Sequence, residues 1–108
     1  MLPEDNNKPA FIELDSLELR DVIAQAEKDM ALSGLSYTFK AENAPKLIKE
    51  MALYLAELTG SELSNLLYRV DINPRHLEYA EVDHLALAIW NRIFKKVWFR
   101  KSFKTGNK

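Results

Sequence analysis

The 108 residues include no cysteine, which excludes disulfide bridges, thiolate nucleophiles and thiolate-held metals together. Glycine is scarce: three residues, at positions 34, 60 and 106, each standing alone. A glycine-rich loop that cradles phosphates is therefore excluded. With four prolines besides, the chain is mostly regular element and little loop. Long apolar runs are missing too. The longest, Met51–Ala56 and Leu85–Trp90, fall far short of the ~20 residues a membrane-spanning helix needs. Met1-Leu2-Pro3-Glu4-Asp5-Asn6-Asn7 is acidic and polar, unlike the cationic start and apolar centre of a signal peptide. The expectation is a soluble cytoplasmic protein.

Acid is lacking where base is densest. Residues 84–108 hold seven bases and no acid, whereas residues 1–35 carry a net −5 and residues 36–83 a net −3. Such asymmetry suits an end that meets nucleic acid or a membrane surface. It equally suits two ends of a chain that face each other, within a subunit or between subunits.

What the sequence has in plenty is helical periodicity. From Glu81 to Phe103 the spacing predicts one long helix. At about 100° per residue, Val82, Ala86, Ile89, Trp90, Ile93, Phe94, Val97 and Trp98 share roughly half its circumference. A surface helix ordinarily buries a narrower stripe, so this one is expected to pack on two sides or to enter an interface. Arg92, Lys95 and Lys96 lie on the opposite arc. Further on, Phe99 and Phe103 fall among the cations, while Arg100, Lys101 and Lys104 intrude on the apolar side. Gly106 and Asn107 offer a stop.

Upstream, residues 1–10 read as a flexible arm. Phe11, Ile12 and Leu14 can cover a core edge. Asp15 with Glu18 three places on forms a capping box, and Leu19, Val22, Ile23, Ala26 and Met30 form a stripe. This predicts a helix over Ser16–Leu32, ended by Gly34. Leu35, Tyr37 and Phe39 alternate with polar residues, but a lone strand has no partner, so an extended connector is expected. Asn43-Ala44-Pro45 opens a second helix with a stripe of Leu47, Ile48, Met51, Ala52, Leu55 and Leu58, ended by Thr59-Gly60. A short third helix follows from Ser61 to about Tyr68. Asp71-Ile72-Asn73-Pro74 is a turn, and residues 74–79 suit one more helical turn. The expected fold is all-α: a small irregular bundle of about four helices, with the long C-terminal helix at its centre. It comprises an arm (1–10), a single helical domain (11–104) and a tail (105–108). Leu19, Val22, Ile23, Met30, Leu47, Met51, Leu55, Ile89, Ile93 and Val97 are its predicted core.

Few constellations carry chemistry. His76, Glu78, Glu81, Asp83 and His84 cluster near the start of the last helix, and Glu81 with His84 has the Glu-x-x-His spacing of di-iron bundles. Both project from the polar side, away from the core where bundle metals sit, so a solvated helix start is the stronger reading. Leu55, Ala56, Gly60 and Leu66 partly match a helix-turn-helix. The would-be reading helix, residues 61–68, holds no base, whereas reading DNA needs cations and amides. No catalytic residues, cofactor or metal are predicted.

The run from Phe94 to Lys104 is the most suggestive. Interleaved cations and aromatics can track phosphates and stack bases, or lie on an anionic membrane. The leading expectation is different: a non-enzymatic helical protein acting through protein–protein association, in a scaffold, regulatory or assembly role, as a homodimer. Trp90, Phe94, Trp98, Phe99 and Phe103 exceed what one small bundle hides, and so are the interface candidates. Arg92, Lys95, Lys96, Arg100, Lys101 and Lys104 form the candidate basic patch. Nucleic-acid binding through that patch is the alternative, and peripheral membrane attachment a weaker one. On the favoured reading the cations instead face the first helix, with Asp21, Glu27 or Asp29 within ion-pair reach.

Overall fold

The computed structural model describes residues 10–73 and 81–106, with side chains described as far as Lys101. The expected arm up to residue 9, the suggested turn at 74–79 and the tail residues 107–108 lie outside these. Among the described residues the chain forms a short 3-10 turn, Phe11–Glu13, and four α-helices. These are α1 (Ser16–Leu32), α2 (Ala44–Leu55), α3 (Gly60–Arg69) and α4 (Val82–Gly106), with no strand.

Local chemistry explains most boundaries. Asp15 accepts the Glu18 amide at 2.8 Å, and the Glu18 carboxylate accepts the Asp15 amide at 3.1 Å. This capping box starts α1 by satisfying two otherwise orphan donors. The helix ends at Gly34, whose φ of +86° is left-handed. There the Leu35 amide donates to the Met30 carbonyl and the Gly34 amide to the Ala31 carbonyl, the paired closure of a Schellman motif. Asn43 caps α2 by accepting the Lys46 amide at 2.9 Å.

One boundary differs from expectation. Gly60 does not end the second helix; it is the first residue of α3. α2 ends at Leu55 and unwinds through 3-10-type bonds from Glu57 to Tyr54 and from Leu58 to Leu55. Thr59 then caps α3 reciprocally with Glu62. At the far end of α3 the left-handed position falls to Asp71, with φ of +68°, a conformation that glycine adopts more readily.

α4 is the central member. It packs on α2 and on α1 and touches the 3-10 turn, while α3 leans on α1. Its buried side comprises Leu85, Ala86, Ile89, Trp90, Ile93, Phe94 and Val97. Val82, expected on that side, is exposed. Every predicted core residue is buried except Ile23, which is half-buried against the cluster. Trp90 is the keystone. Its ring stacks on Phe11 with centroids 5.2 Å apart, meets Phe39 edge-on at 4.9 Å, and its indole N–H donates to the Leu47 carbonyl at 3.0 Å. A buried tryptophan needs such an acceptor, since an unpaired indole N–H carries its full desolvation penalty.

The segment 35–42 is the extended connector expected, with Leu35 and Phe39 buried and Tyr37 half-buried. Having no neighbouring strand, it takes its partners from carboxylates. Glu27 of α1 accepts the Phe39 amide at 2.9 Å. Glu50 of α2 accepts the Lys40 amide at 3.1 Å, the Ala41 amide at 3.0 Å and the Tyr37 hydroxyl at 2.6 Å. Two helices thereby clip the connector over the core. Burial, reinforced by the Glu50 carboxylate, pushes the Tyr37 phenol up to about 12.

Candidate functional site

The two candidate sets on α4 separate once the helix is packed. Trp90 has no exposed surface and Phe94 is buried, so these two belong to the core of the chain and not to a surface for association. The interface expectation is corrected for them, and the reason is physical. Phe11 and Phe39 arrive from distant parts of the chain and close over Trp90. Trp98 is half-buried, its ring 6.0 Å from that of Phe94. Phe99 is 42% exposed. The side chain of Phe103 is outside those described.

The cations divide as well. Lys96 donates to Asp29 at 2.9 Å, Lys101 to Asp21, and Arg92 to Asp71 at 2.8 Å. Two of the three acids named as partners are therefore engaged from α4, and the third, Glu27, holds the connector instead. The pairs Asp29–Lys96 and Asp21–Lys101 also fix the direction of packing. Numbers fall along α1 as they rise along α4, so the helices run antiparallel. The basic C-terminal half of α4 therefore lies along acids of α1, with Lys101 on Asp21 towards the start of α1 and Lys96 on Asp29 near its end. Lys95 and Arg100 are exposed and make no ion pair among the described residues. The Lys104 side chain is outside those described.

Asp29 differs from the other acids of these pairs. Its side chain is 4% exposed, against 51% for Asp21 and 78% for Asp71. Besides Lys96 it accepts the Gln25 amide at 3.0 Å. A buried carboxylate is tolerated when such partners replace water. The Arg92 guanidinium spans two environments: one terminal nitrogen reaches Asp71, while its Nε is buried with no hydrogen-bond partner among the described residues.

Sequence reasoning missed a surface on α3. Tyr68 is 86% exposed and Leu32, at the end of α1, is 55% exposed; with Ser33, Asn65 and Arg69 they line a shallow groove of about 210 Å³. The signal was present in the spacing. Tyr68 lies ~100–160° away from Leu63, Leu66 and Leu67, the stripe that α3 turns towards the core. A larger groove of about 380 Å³ runs between α1 and α4, with Asp21, Lys28, Arg100 and Lys101 on its walls.

Elsewhere, Glu81, Asp83 and His84 are exposed at the start of α4, while His76 and Glu78 are outside the described residues. Among the described residues no group of three potential ligands is close enough to hold a metal ion. No described helix is long and apolar enough to cross a membrane. No family model, curated protein or solved structure matches this chain.

Proposed function

We propose that this protein works by associating with another protein chain, with a homodimer as its simplest form, and that it has no catalytic role. The observation that carries the reading is the groove where α3 meets the end of α1. There Tyr68 offers 86% of its surface beside Leu32, with Arg69 at the rim. Tyrosine and arginine are the residue types that dominate binding energy at protein interfaces, because each joins a large contact area to directional polar groups. Phe99, on the outer side of α4, adds a second exposed ring.

Two further observations support the reading. Three cations of α4 are paired to acids of the same chain, which lowers the positive field available to a phosphate backbone. The carboxylates drawn into the fold are engaged structurally: Asp29 on Gln25 and Lys96, Glu50 on Tyr37 and two connector amides, Glu27 on Phe39. Each of these contacts is accounted for by holding the fold together, which supports a structural use of these carboxylates.

Sedimentation velocity over a micromolar concentration series tests the proposal. A dimer is expected for the wild type, and Tyr68→Ser should weaken it by tenfold or more, about 1.4 kcal/mol, while leaving the fold intact. A wild type that sediments as a monomer throughout would remove the homodimer. Tight binding of labelled oligonucleotides at low salt, abolished by neutralising Lys95 and Arg100, would favour nucleic acid instead.

A further inference from the structure

The groove between α1 and α4 has a charge pattern that internal pairing leaves incomplete. Asp21, Ala24 and Lys28 stand on one face of α1 at helical spacing, and Val97, Arg100 and Lys101 face them from α4. Three cations and one acid give these walls a net charge of +2. Asp21 holds Lys101. Lys28 and Arg100 line the same groove from opposite sides and make no ion pair among the described residues. Gathering like charges around one depression raises its potential, and an anion between them lowers it. The guanidinium of Arg100 presents a planar fork that matches two oxygens of a phosphate or carboxylate, while lysine contributes a point charge. Ala24 and Val97 supply an apolar wall to this groove of about 380 Å³, which stays open to solvent on one side.

We propose that this groove binds a small phosphate ester, its dianionic phosphate held between Lys28 and Arg100 and its organic group against Ala24 and Val97. The site is separate from the Tyr68 surface, so it stands or falls independently of the association reading. Doubly charged phosphate matches the +2 of the walls more closely than a single carboxylate does. Asp21 holds Lys101 at the rim and disfavours a ligand of higher negative charge.

Phenyl phosphate and inorganic phosphate serve as probes, titrated at low salt into the full chain with amide chemical shifts as the readout. Saturable shifts confined to residues 21–28 and 97–101 are expected. Phenyl phosphate should bind several-fold more tightly than inorganic phosphate, because its ring covers the apolar wall. Arg100→Gln should weaken binding about tenfold or more and Lys28→Gln several-fold, whereas Lys95→Gln, on the outer side of the same helix, should change it by less than about twofold. All three positions are exposed, and a thermal melt of each variant confirms that it folds. Equal affinity for the two probes would overturn the ester assignment. Loss through Lys95→Gln as large as through Arg100→Gln would show a diffuse field and overturn the site, as would no saturable shift with either probe.

Discussion

The Asp29–Lys96 pair should respond asymmetrically to truncation. The Asp29 side chain is 4% exposed and that of Lys96 29% exposed, although they share one ion pair of 2.9 Å. Lys96→Met leaves a carboxylate buried against Gln25 alone, with little access to water. The expected loss is ~3–5 kcal/mol, the usual cost of stranding a buried charge. Asp29→Ala strands the other partner, but that ammonium sits on a flexible stem that already reaches solvent and can turn outwards. Its loss should be nearer ~1–2 kcal/mol, mostly the unpaired amide of Gln25. The combined variant removes both charges, and burying apolar groups where an ion pair stood is often neutral or better. It should therefore be more stable than Lys96→Met alone, by about 2 kcal/mol. Urea unfolding of the four proteins measures all of this through the midpoints, with unchanged slopes confirming that the same transition is compared. If the two single variants lose equally, or if the double is no better than Lys96→Met, the reasoning from burial is wrong.

The remaining predictions rest on other parts of the core. Ile93 has no exposed surface, so Ile93→Ala should cost ~2–5 kcal/mol, and at ~4–8 °C per kcal/mol its thermal midpoint should drop well clear of the wild type's. Tyr37 has its phenol raised to about 12 with the Glu50 carboxylate beside it. A raised folded value means the favourable protonated form is intact below pH ~10 and lost as pH climbs towards 12. Denaturation curves across that window should show the wild type falling more steeply than Tyr37→Phe, and parallel curves would count against the contact. Trp90→Phe removes the bond to the Leu47 carbonyl and loosens the stacks on Phe11 and Phe39. Chemical unfolding should register about 2–4 kcal/mol, and a double-mutant cycle with Phe11→Leu should show coupling of ~0.5–1.5 kcal/mol. Coupling near zero would mean the stack contributes only area.

Features confined to one helical turn were legible in the sequence, and those made across the fold were legible only in part. The Asp15–Glu18 box and the Gly34 stop need residues three or four places apart, and both stand where spacing put them. The α4 stripe marked its buried face because periodicity alone decides which residues share a side. Gly60 misled because glycine commonly follows a helix, yet Thr59 three residues before Glu62 spells a start with equal clarity. Trp90 looked surplus because its covers are remote in sequence. Nothing in the spacing announces that Phe11 and Phe39 will converge on it. Charge asymmetry between the chain's two ends did foretell the Asp29–Lys96 and Asp21–Lys101 contacts, since opposite fields attract whatever the intervening topology. The Glu50 clip left no such trace: one acid on a helix reads as solvated surface until the connector is laid against it.

That clip bears on how the connector avoids pairing edge to edge with the same segment of another copy. Residues 35–39 alternate large and small side chains in extended backbone, the pattern that pairs edge to edge and seeds aggregates. Pairing requires free amides, and those of Phe39, Lys40 and Ala41 are already donated to Glu27 and Glu50. An incoming strand would have to displace two carboxylates before forming its first bonds there. A segment with the composition of a sticky edge is thereby kept solitary by two glutamates, each from a different helix.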